Sequence, residues 1–535
     1  MNAPVRLSEL LEFSSLAHTL VFLKDGRPFP LPDIEITSIR HDSRVCDQGS
    51  IYCAFRGLHE DGIDFMDNAL EKGAAAVVTD RLPSRPHEGV PYIVVEAPRQ
   101  AYALLCGSFF GNPASALKVI GVTGTDGKST TIEYLWQLLR GQGVRAGLLS
   151  TVSWDDGSGL VSSPYRQSTP EAWELHSFLS SCRDHGLSIV ILETTSHALS
   201  MEYDRLAGIA FSGAIYTTMT SEHLEFHGSL ERYVDAKLNL ARRLLPGSPL
   251  VIPHDNARKD DIMKAAPQAK PFITAVHHGK SSGCSRKEDG ILNGTCISAT
   301  VLGMEPEQLA FTFAINDKEL TTLWRFPSPF PFLLSNALEA AAMAHSLIDI
   351  PLEAIIAQFE KLSPVRGRAI PVPNSLGVTV LIDFAHTADA FAHVMEEISR
   401  VHPKADITVV FGAAGERDTT KRAPMGAQAA RWCSRIIITD EDPRNEGYEA
   451  IRKDIEAGIP DALKRRRTIL RIADRKRAIR EAVANLNRGD VLLLLGKGHE
   501  TTIEYENGRK IPWDEMREAR EALAVCAACR EGSSL

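Results

Sequence analysis

One stretch of the chain constrains its fold more than any other: an apolar strand that leads straight into glycines and then into a helix. Residues 117–121 read LKVIG, as in a buried strand, and residues 121–130 read GVTGTDGKST. Glycines let backbone N–H groups approach phosphate oxygens, Lys128 supplies a positive charge, and the hydroxyls of Ser129 and Thr130 can reach a magnesium ion. The spacing is a variant of the common phosphate loop, because Val122 stands where the first glycine would be. The stretch predicts binding of ATP or GTP, without indicating the reaction.

The remainder of the chain alternates strands with helices in three blocks. This rhythm is typical of an α/β protein whose mainly parallel sheets are covered by helices. The middle block has further apolar strands at 146–152, 188–192, 213–216 and 250–252, and a more alternating segment at 280–325 that predicts an antiparallel extension. The last block has strands at 378–383, 407–411, 435–439 and 491–495. A chain of 535 residues suits about three domains, which we expect at 1–112, 113–362 and 363–535.

Composition narrows the class of protein. The formal net charge of −9 argues against a protein that binds nucleic acid through a general basic surface. No run of 18 apolar residues occurs, so we expect no membrane span. Nine cysteines, an odd number scattered along the chain, favour a reducing compartment. We therefore expect a cytoplasmic protein, and we expect it to be a monomer.

Acidic and histidine side chains follow the strands of the middle block. The strand 188–192 ends in Glu193-Thr-Thr-Ser196-His197, and residues 220–228 read TSEHLEFHG, followed by YVDAK at 233–237. A carboxylate at the end of a strand, beside a phosphate loop of the same sheet, can hold a divalent cation. The pattern predicts a metal or catalytic role for at least one of these side chains.

With these motifs in view, the chain resembles the Mur ligase family, most closely its tripeptide synthetase branch. The family's G-T-[ND]-G-K-[ST]-[ST] loop is matched at 124–130, its strand-end glutamate at Glu193, and its T-x-D-H-L-D-x-H-G and Y-x-x-A-K segments at 220–228 and 233–237. Further matches in the same order lie at 41–44, 49–57, 168–171, 365–368, 383–389, 411–418 and 496–500. The resemblance covers nearly the whole chain.

The resemblance implies a three-domain architecture with a central phosphate-loop domain and a Rossmann-like last domain. It implies an ATP-dependent ligase that adds a diamino acid to the D-Glu of UDP-N-acetylmuramoyl-L-Ala-D-Glu through an acyl phosphate, in peptidoglycan synthesis. The implied cofactors are ATP as co-substrate, two magnesium ions and a carbamate on Lys237. The implied partners are the UDP-linked muramoyl dipeptide and a free diamino acid.

The resemblance also assigns site residues by motif. The catalytic set is Lys128, Lys237, His223 and Arg368, and the metal ligands are Ser129, Glu193, His223 and Lys237. The ATP-binding set is Gly124, Thr125, Asp126, Gly127, Lys128, Ser129, Thr130, Asn336, Arg368 and Asp383. The set expected to bind the UDP-linked substrate is Ser43, Ser168, Thr169, Ser196 and Arg205, and the set expected to bind the amino acid is Asp442, Arg444, Gly496 and Glu500.

The identity of the added amino acid stays open. Residues 441–444 read EDPR where members that add diaminopimelate have D-N-P-R. Arg444 favours a distal carboxylate, which it could bind through two parallel hydrogen bonds. Asp442 replaces an amide donor by an acceptor and suits a terminal ammonium, as does Glu500. The balance leans toward lysine or ornithine, with diaminopimelate close behind.

Other functions compete with this interpretation. A folylpolyglutamate synthase-like ligase would share the second and third blocks, but it would lack a separate domain like 1–112. The sibling ligase that adds D-Ala-D-Ala is disfavoured by GKGHE at 496–500 and by EDPR. A nucleotide-binding module that has lost catalysis would explain the departures at Thr218, Glu222, Leu333 and Asp442, whereas the retained Lys128 and Glu193 speak against it.

Overall fold

The computed structural model has three large β-sheets, one in each block of the sequence. It describes residues 3–14, 16, 18–24, 27–30, 32–57, 60–165, 167–219, 224–278, 294–305, 307–316 and 318–532. The sheets and their covering helices confirm the predicted α/β class. The domain boundaries after residues 112 and 362 stay predictions, and they fall between the sheets. Within the described residues, no helix combines the length and apolarity needed to cross a membrane.

The first sheet is built from the amino-terminal strands in the order β2-β9-β8-β7-β6, parallel except for the edge strand β2. Two small pairs, β1-β5 and β3-β4, lie outside it. The strands are β1 (Val5–Arg6), β2 (Thr19–Val21), β3 (Leu23–Lys24), β4 (Arg27–Pro28), β5 (Glu35–Ile36), β6 (Ser38–Arg40), β7 (Ser50–Cys53), β8 (Ala76–Thr79) and β9 (Tyr92–Val94). The helices are α1 (Leu7–Ser14), α2 (Met66–Glu71) and α3 (Pro98–Phe109).

The central sheet has the order β13-β12-β11-β14-β10-β15-β16-β17-β18-β19-β20 among the described residues. Its strands are β10 (Lys118–Thr123), β11 (Ala146–Leu149), β12 (Ser153–Asp155), β13 (Val161–Ser162), β14 (Ile189–Glu193), β15 (Gly213–Tyr216), β16 (Pro249–Pro253), β17 (Lys270–His278), β18 (Thr295–Glu305), β19 (Gln308–Ile315) and β20 (Lys318–Phe326). Its helices are α4 (Lys128–Gly141), α5 (Ala172–Asp184), α6 (Ser196–Leu199), α7 (Leu224–His227), α8 (Leu230–Arg242), α9 (Lys259–Ala265), α10 (Pro331–Ile348) and α11 (Leu352–Ile356).

Seven neighbouring strands of this sheet pair in parallel, in the spatial order β11-β14-β10-β15-β16-β17-β18. Antiparallel strands extend both edges, β12 beside β11 and β19 and β20 beside β18. The predicted antiparallel extension is thereby confirmed for β19 and β20, whereas residues 280–293 of the predicted segment lie outside the described residues. Strand β10 lies between β14 and β15, so the ends of these three strands meet at one edge of the sheet. Because β10 and β14 are buried on both faces, their near-continuous runs of Val, Ile and Leu are what a covered parallel sheet requires.

The strand expected at 146–152 is shorter than predicted. It ends at Leu149, because the Ser150 hydroxyl accepts hydrogen bonds from the backbone N–H of Val152 (3.1 Å) and of Ser153 (3.0 Å). Such local bonds let a serine offer the backbone an alternative to the sheet ladder. The chain turns back into the antiparallel strand β12, and Thr151 lies in the turn. The turn brings Thr151 to the edge of the sheet where β10 and β14 end.

The third sheet has the order β21-β22-β26-β23-β24-β25, parallel except for β21. A small pair, β27-β28, stands beside it. The strands are β21 (Ile370–Pro371), β22 (Thr379–Asp383), β23 (Ile407–Phe411), β24 (Arg435–Ile438), β25 (Thr468–Arg471), β26 (Val491–Leu495), β27 (Thr502–Glu504) and β28 (Lys510–Pro512). The helices are α12 (Ala388–Val401), α13 (Arg422–Trp432), α14 (Tyr448–Ala457), α15 (Asp461–Lys464), α16 (Arg475–Ala484) and α17 (Glu515–Gly532).

Arginine–aromatic contacts join the first sheet domain to the central one. The Arg40 guanidinium lies 4.6 Å from the Trp173 ring, and Arg99 lies 4.6 Å from Phe55 and 4.2 Å from Tyr203. Stacking of this kind is worth about 0.5–2 kcal/mol per contact, depending on exposure. The contacts place the first domain against α5 and the segment after α6.

Candidate active site

Two glycines shape the phosphate loop between β10 and α4. Gly124 has a φ of +149°, and a Cβ there would lie 1.8 Å from Thr217 Oγ1. Gly127 has a φ of +86°, and a Cβ there would lie 2.7 Å from Asn336 Oδ1. Only glycine combines these backbone angles with such close neighbours. The loop is therefore held tightly against the end of β15 on one side and α10 on the other, and Asn336, predicted to bind ATP, touches the turn.

The loop directs backbone donors and one cation toward the end of β10. Helix α4 begins at Lys128, so its first N–H groups have no partner within the helix and form an anion-binding end. The Lys128 ammonium donates to the carbonyl of Thr125 at 2.7 Å, within its own loop. Asp126 contributes its carbonyl, which accepts a hydrogen bond of 2.5 Å from Thr217 Oγ1. The predicted ATP-binding loop thus has the geometry of a phosphate cradle.

A hydroxyl and a carboxylate meet at the start of α4. Ser129 Oγ donates to Glu193 Oε2 at 2.9 Å, and the Thr151 backbone N–H donates to the same oxygen at 3.1 Å. Thr151 Oγ1 lies 3.2 Å from both oxygens of Glu193. Ser129 and Glu193 are both buried. Two of the four predicted metal ligands are therefore brought together, and Thr151, which sequence reasoning missed, contacts the same carboxylate.

Lys237 reaches the same loop from helix α8. Its ammonium donates to the carbonyl of Gly124 at 2.7 Å and lies 3.4 Å from Thr123 Oγ1. It also lies 4.7 Å from the centre of the Tyr233 ring. The side chain is only 2% exposed, although lysine is rarely buried without a partner. The other residue predicted at this place, His223, lies outside the described residues.

The donor set around the loop fits magnesium. Magnesium favours hard oxygen ligands and is commonly held by one or two carboxylates together with substrate phosphates. The Ser129 hydroxyl and the Glu193 carboxylate supply such oxygens beside the phosphate loop. Among the residues whose placement is described, no group of three or more His, Cys, Asp or Glu side chains forms a metal cage.

A second buried carboxylate, Glu133, lies one turn further along α4. It accepts a hydrogen bond of 2.6 Å from Ser153 Oγ. Burial raises the pKa of Glu133 to about 7, opposed by its hydrogen bond with Ser153 and by the positive charge of Arg368. Sequence reasoning missed this residue, and the only available signal was its spacing of four from Ser129, which places both on one helix face.

The third domain contributes Arg368 to this site. Its guanidinium lies 3.4 Å from Ser129 Oγ and 4.7 Å from the Phe384 ring. Asp383, predicted to bind ATP, accepts hydrogen bonds of 2.7 Å from the backbone N–H groups of Ala369 and Ala385. Burial raises the pKa of Asp383, while Arg368 and these hydrogen bonds lower it. In this arrangement Asp383 fixes the backbone immediately beside Arg368.

Four of the residues predicted to bind the UDP-linked substrate lie around the end of β14. Ser168 accepts a hydrogen bond of 2.5 Å from Thr151 Oγ1, and Thr169 Oγ1 donates to the carbonyl of Glu193 at 2.7 Å. Arg205 donates to the carbonyl of Thr169 at 2.9 Å and pairs with Glu171 at 2.7 Å. Ser196 begins α6 and is buried. The segment is therefore tied to the Glu193 carboxylate through hydrogen bonds.

The fifth predicted residue, Ser43, belongs to the first domain. The Asp42 carboxylate accepts a hydrogen bond of 2.9 Å from the Arg44 N–H, and a short 3₁₀ turn begins at Ser43. Ser43 is buried. Sequence reasoning missed Arg99, because its position between the aromatic rings of Phe55 in the first domain and Tyr203 in the central domain depends on tertiary structure.

The predicted amino-acid pocket centres on a buried lysine of the third domain. Lys497 donates to Asp442 Oδ1 at 2.9 Å and to Glu500 Oε2 at 2.5 Å, with its side chain fully buried. Asp442 Oδ1 also accepts from the Glu504 N–H at 2.9 Å. Burial raises the pKa of Glu500, and Lys497 opposes that rise. The sequence shows Lys497 only as part of the GKGHE motif, and its contacts with Asp442 and Glu500 depend on the tertiary structure.

Arg444 and Gly496 lie at the same pocket. Arg444 donates to the carbonyl of Gly415 at 2.7 Å, and its guanidinium lies 3.9 Å from Asp442 and 3.6 Å from Glu504. Gly496 has a φ of +98°, and a Cβ there would lie 2.8 Å from Glu441 Oε2. The structure therefore brings together all four residues predicted to bind the amino acid.

Comparison with known proteins places these features in one family. Residues 35–110 match the Mur ligase family catalytic domain, residues 122–344 match the Mur ligase middle domain, and residues 367–498 match the Mur ligase glutamate ligase domain. The UDP-N-acetylmuramyl-tripeptide synthetase of Roseiflexus sp. (strain RS-1) is 37% identical over 505 residues, covering 93% of this chain and 96% of the relative. The UDP-N-acetylmuramoyl-L-alanyl-D-glutamate--2,6-diaminopimelate ligase of Chlorobium phaeobacteroides is 34% identical over 495 residues, covering 92% and 93%.

The fold is also shared with a solved structure. The MurF ligase of Thermotoga maritima in complex with ADP has a TM-score of 0.58 at 19% identity, with 92% of this chain and 98% of that chain covered. At this identity the likeness concerns the fold alone. Together with the long matches to curated relatives, it leads to one conclusion. The chain belongs to the Mur ligase family, whose members are ATP-dependent ligases.

Proposed function

We propose that this chain adds a diamino acid to the D-Glu of UDP-N-acetylmuramoyl-L-Ala-D-Glu, with ATP as the energy source. The observation that carries the proposal is the contact between two domains at the phosphate loop, where Arg368 lies 3.4 Å from Ser129 Oγ. A site assembled from both domains can hold a triphosphate on one side and receive a second substrate from the other. The names of the curated relatives support the substrate class.

The proposed chemistry proceeds in two steps. A carboxylate oxygen of the D-Glu side chain attacks the γ-phosphorus of ATP, the bond from that phosphorus to the bridging oxygen breaks, and ADP leaves. The amine of the diamino acid then attacks the carbonyl carbon of the acyl phosphate. The bond from that carbon to the phosphate oxygen breaks, phosphate leaves, and the amine proton passes to solvent or phosphate. Activation is needed because a free carboxylate has no adequate leaving group.

The residues of the central domain act on charge and position. The N–H groups at the start of α4 and the Lys128 ammonium would bind the phosphates, and Arg368 would neutralise charge on the phosphoryl group in transfer. Ser129 and Glu193, with Lys237 as a carbamate, would hold magnesium, which supplies further neutralisation of the phosphates. A carbamate would give Lys237 the negative charge that a metal ligand needs, while its N–H could still donate to Gly124.

Charge in the third domain bears on which amino acid is added. Asp442, Glu500 and Glu504 contribute three carboxylates around two cations, Lys497 and Arg444. Arg444 is already engaged by a carbonyl and flanked by carboxylates, so its charge is largely compensated. An excess of carboxylate favours a substrate side chain that ends in an ammonium. We therefore propose lysine or ornithine ahead of diaminopimelate.

The test measures phosphate release with ATP, magnesium, the UDP-linked muramoyl dipeptide and a panel of lysine, ornithine and meso-diaminopimelate. We expect release that requires both the dipeptide and an amine, with a new amide product identified by mass spectrometry. Release with folate-type or D-Ala-D-Ala substrates in place of these would favour another ligase, and no release with any amine would favour an inactive module.

A further inference from the structure

A fully buried arginine, Arg475, contacts the backbone at the start of both loops of the amino-acid pocket. Its guanidinium donates to the carbonyl of Leu495 at 2.9 Å and to the carbonyl of Asp440 at 3.4 Å. Leu495 immediately precedes Gly496, and Asp440 lies two positions before Asp442. One side chain therefore contacts the start of both loops that contain the residues predicted to bind the amino acid.

The sheet sets the distance between the strands that lead into these loops, but not the conformation of the loops beyond them. The loops follow β24 and β26, and the strand order places β23 between the two. Strands two positions apart are separated by about 10 Å and share no hydrogen-bond ladder. Strand β23 pairs with both β24 and β26 and so spaces their ends, whereas side chains bridge the loops beyond those ends. Lys497 bridges the loops through Asp442, and Arg475 bridges them where they begin, through the carbonyls of Leu495 and Asp440.

Arg475 is itself held by the first residue of the carboxy-terminal helix. Glu515 accepts hydrogen bonds from Arg475 Nη2 at 2.6 Å and from Nε at 3.0 and 3.1 Å, and Trp513 Nε1 donates to Glu515 at 2.5 Å. Both partners of the ion pair are buried, with side-chain exposures of 0% and 1%. A planar guanidinium has enough fixed donors to serve the carboxylate and two carbonyls at once, which an ammonium on a flexible stem does not match.

A buried ion pair of this kind is weak evidence for a purely stabilising role. Replacing such a pair by apolar side chains is often neutral or favourable for stability, because desolvation offsets much of the attraction. What the pair does supply is a defined geometry between three segments: the end of β24, the end of β26 and the start of α17. The first two of these segments are where the proposed amino-acid ligands begin.

We propose that Arg475, oriented by Glu515, is a positioning residue that sets the spacing of the Asp442 loop and the Gly496–Glu500 loop, and thereby the affinity for the incoming diamino acid. This inference rests on the proposed ligase function. It assigns Arg475 no contact with the substrate. Its effect passes through the backbone of the two loops.

The main test is Arg475→Lys, which keeps the charge opposite Glu515 but loses the guanidinium bridge between the two carbonyls. We expect the KM for the diamino acid to rise about tenfold or more, since displacements of about 1 Å in a binding site can cost up to 100-fold. The KM values for ATP and for the UDP-linked dipeptide should stay within about twofold. The formation of the acyl phosphate in the absence of amine should be unchanged. It is measured as dipeptide-dependent exchange between ADP and ATP.

A charge-free pair, Arg475→Met with Glu515→Leu, provides a second variant in case the lysine variant folds poorly. It should fold, and it should show the same selective rise in the KM for the diamino acid. Arg471→Lys is the matched control, because Arg471 pairs with Glu456 at the surface of the same domain. It should leave all three KM values unchanged.

Two results would overturn the inference: an unchanged KM for the diamino acid in both variants, or an equal rise in all three KM values. The failure of the proposed function would look different, because the unmodified enzyme would then release no amine-dependent phosphate at all.

Discussion

Ser129 Oγ donates a 2.9 Å hydrogen bond to Glu193 Oε2, across the gap between the start of α4 and the end of β14. The pair places a hydroxyl and a carboxylate beside the phosphate loop, as a nucleotide-bound magnesium ion requires. We expect Glu193→Gln to lower kcat by at least about 100-fold, because an uncharged amide is a poor ligand for magnesium. Thr151→Val should lower it by about tenfold, since it removes a partner that orients the carboxylate.

Steady-state assays over a magnesium titration check this prediction. The magnesium concentration for half-maximal rate should rise in both variants. Glu396→Gln is the control, because Glu396 is a half-exposed surface residue paired with Arg400. Full activity of Glu193→Gln at the magnesium level used for the unmodified enzyme would contradict the assignment.

Lys237 is expected to act as a carbamate. Lys237→Ala should remove activity, and added short-chain carboxylates such as formate should restore part of it by occupying the vacated space. Lys237→Arg should stay inactive, because arginine keeps the positive charge but cannot form the carbamate. An independent readout is the carbonyl resonance of a carbamate in ¹³C NMR after incubation with labelled bicarbonate, present in the unmodified enzyme and absent from Lys237→Ala. Retention of full activity by Lys237→Arg would rule the carbamate out.

Much of the fold could be predicted from the sequence, because the parallel strands are continuous apolar runs. The phosphate loop could be predicted because its glycines are closely spaced between an apolar strand and a helix. The strand at 146–149 shows the limit. Its predicted end at 152 is wrong, since the Ser150 side chain competes for backbone donors and turns the chain. Competition of this kind depends on the conformation of three residues, which an apolar run does not reveal.

Site residues that belong to a sequence motif could be predicted, whereas residues that are recognised only by their tertiary contacts could not. The expectations for Glu193, Lys237 and Arg368 follow from motifs in which the chain resembles the Mur ligase family. Thr151 and Arg475 do not, because each acts through residues 20 to 42 positions away along the chain. Their roles depend on tertiary packing, which brings distant strand ends to one place.

Asp442 is expected to set the preference between diamino acids. Asp442→Asn removes one carboxylate from the pocket and leaves the Lys497 charge less compensated, so a distal carboxylate should be better tolerated. We expect the ratio of kcat/KM for diaminopimelate over lysine or ornithine to rise about tenfold, which corresponds to ~1.4 kcal/mol. Asp461→Asn, at an exposed helix start of the same domain, should leave the ratio unchanged. No change in the ratio for Asp442→Asn would remove Asp442 from the specificity argument.

Glu133 is expected to make stability depend on pH. Its pKa is raised to about 7 from an ordinary value of 4.5, mainly by burial. The folded state therefore binds the proton more tightly than the unfolded state, so the stability that Glu133 contributes is fully present below about pH 4.5 and is lost as the pH rises through about 7. Full ionisation corresponds to a loss of up to about 3 kcal/mol.

The check is urea unfolding of the unmodified protein and of Glu133→Gln between pH 5 and pH 8.5. The uncharged variant should lack this loss, so its advantage in free energy of unfolding should grow with pH. A difference between the two proteins that stays constant over this range would show that Glu133 titrates normally.

Gly127 and Gly143 form a matched pair of left-handed glycines at the two ends of helix α4. Their φ angles are +86° and +79°, but only at Gly127 would an added Cβ meet a close neighbour, Asn336 Oδ1, at 2.7 Å. A Cβ at Gly143 would have nothing within 4 Å. Alanine at either position should cost about 1–2 kcal/mol of stability from the backbone angle. Gly127→Ala should in addition displace Asn336 and the phosphate loop, which should raise the KM for ATP about tenfold or more, whereas Gly143→Ala should leave it unchanged. Thermal unfolding and ATP titrations of the two variants separate these effects, and equal KM values for ATP would mean that contact with Asn336 does not shape the nucleotide site.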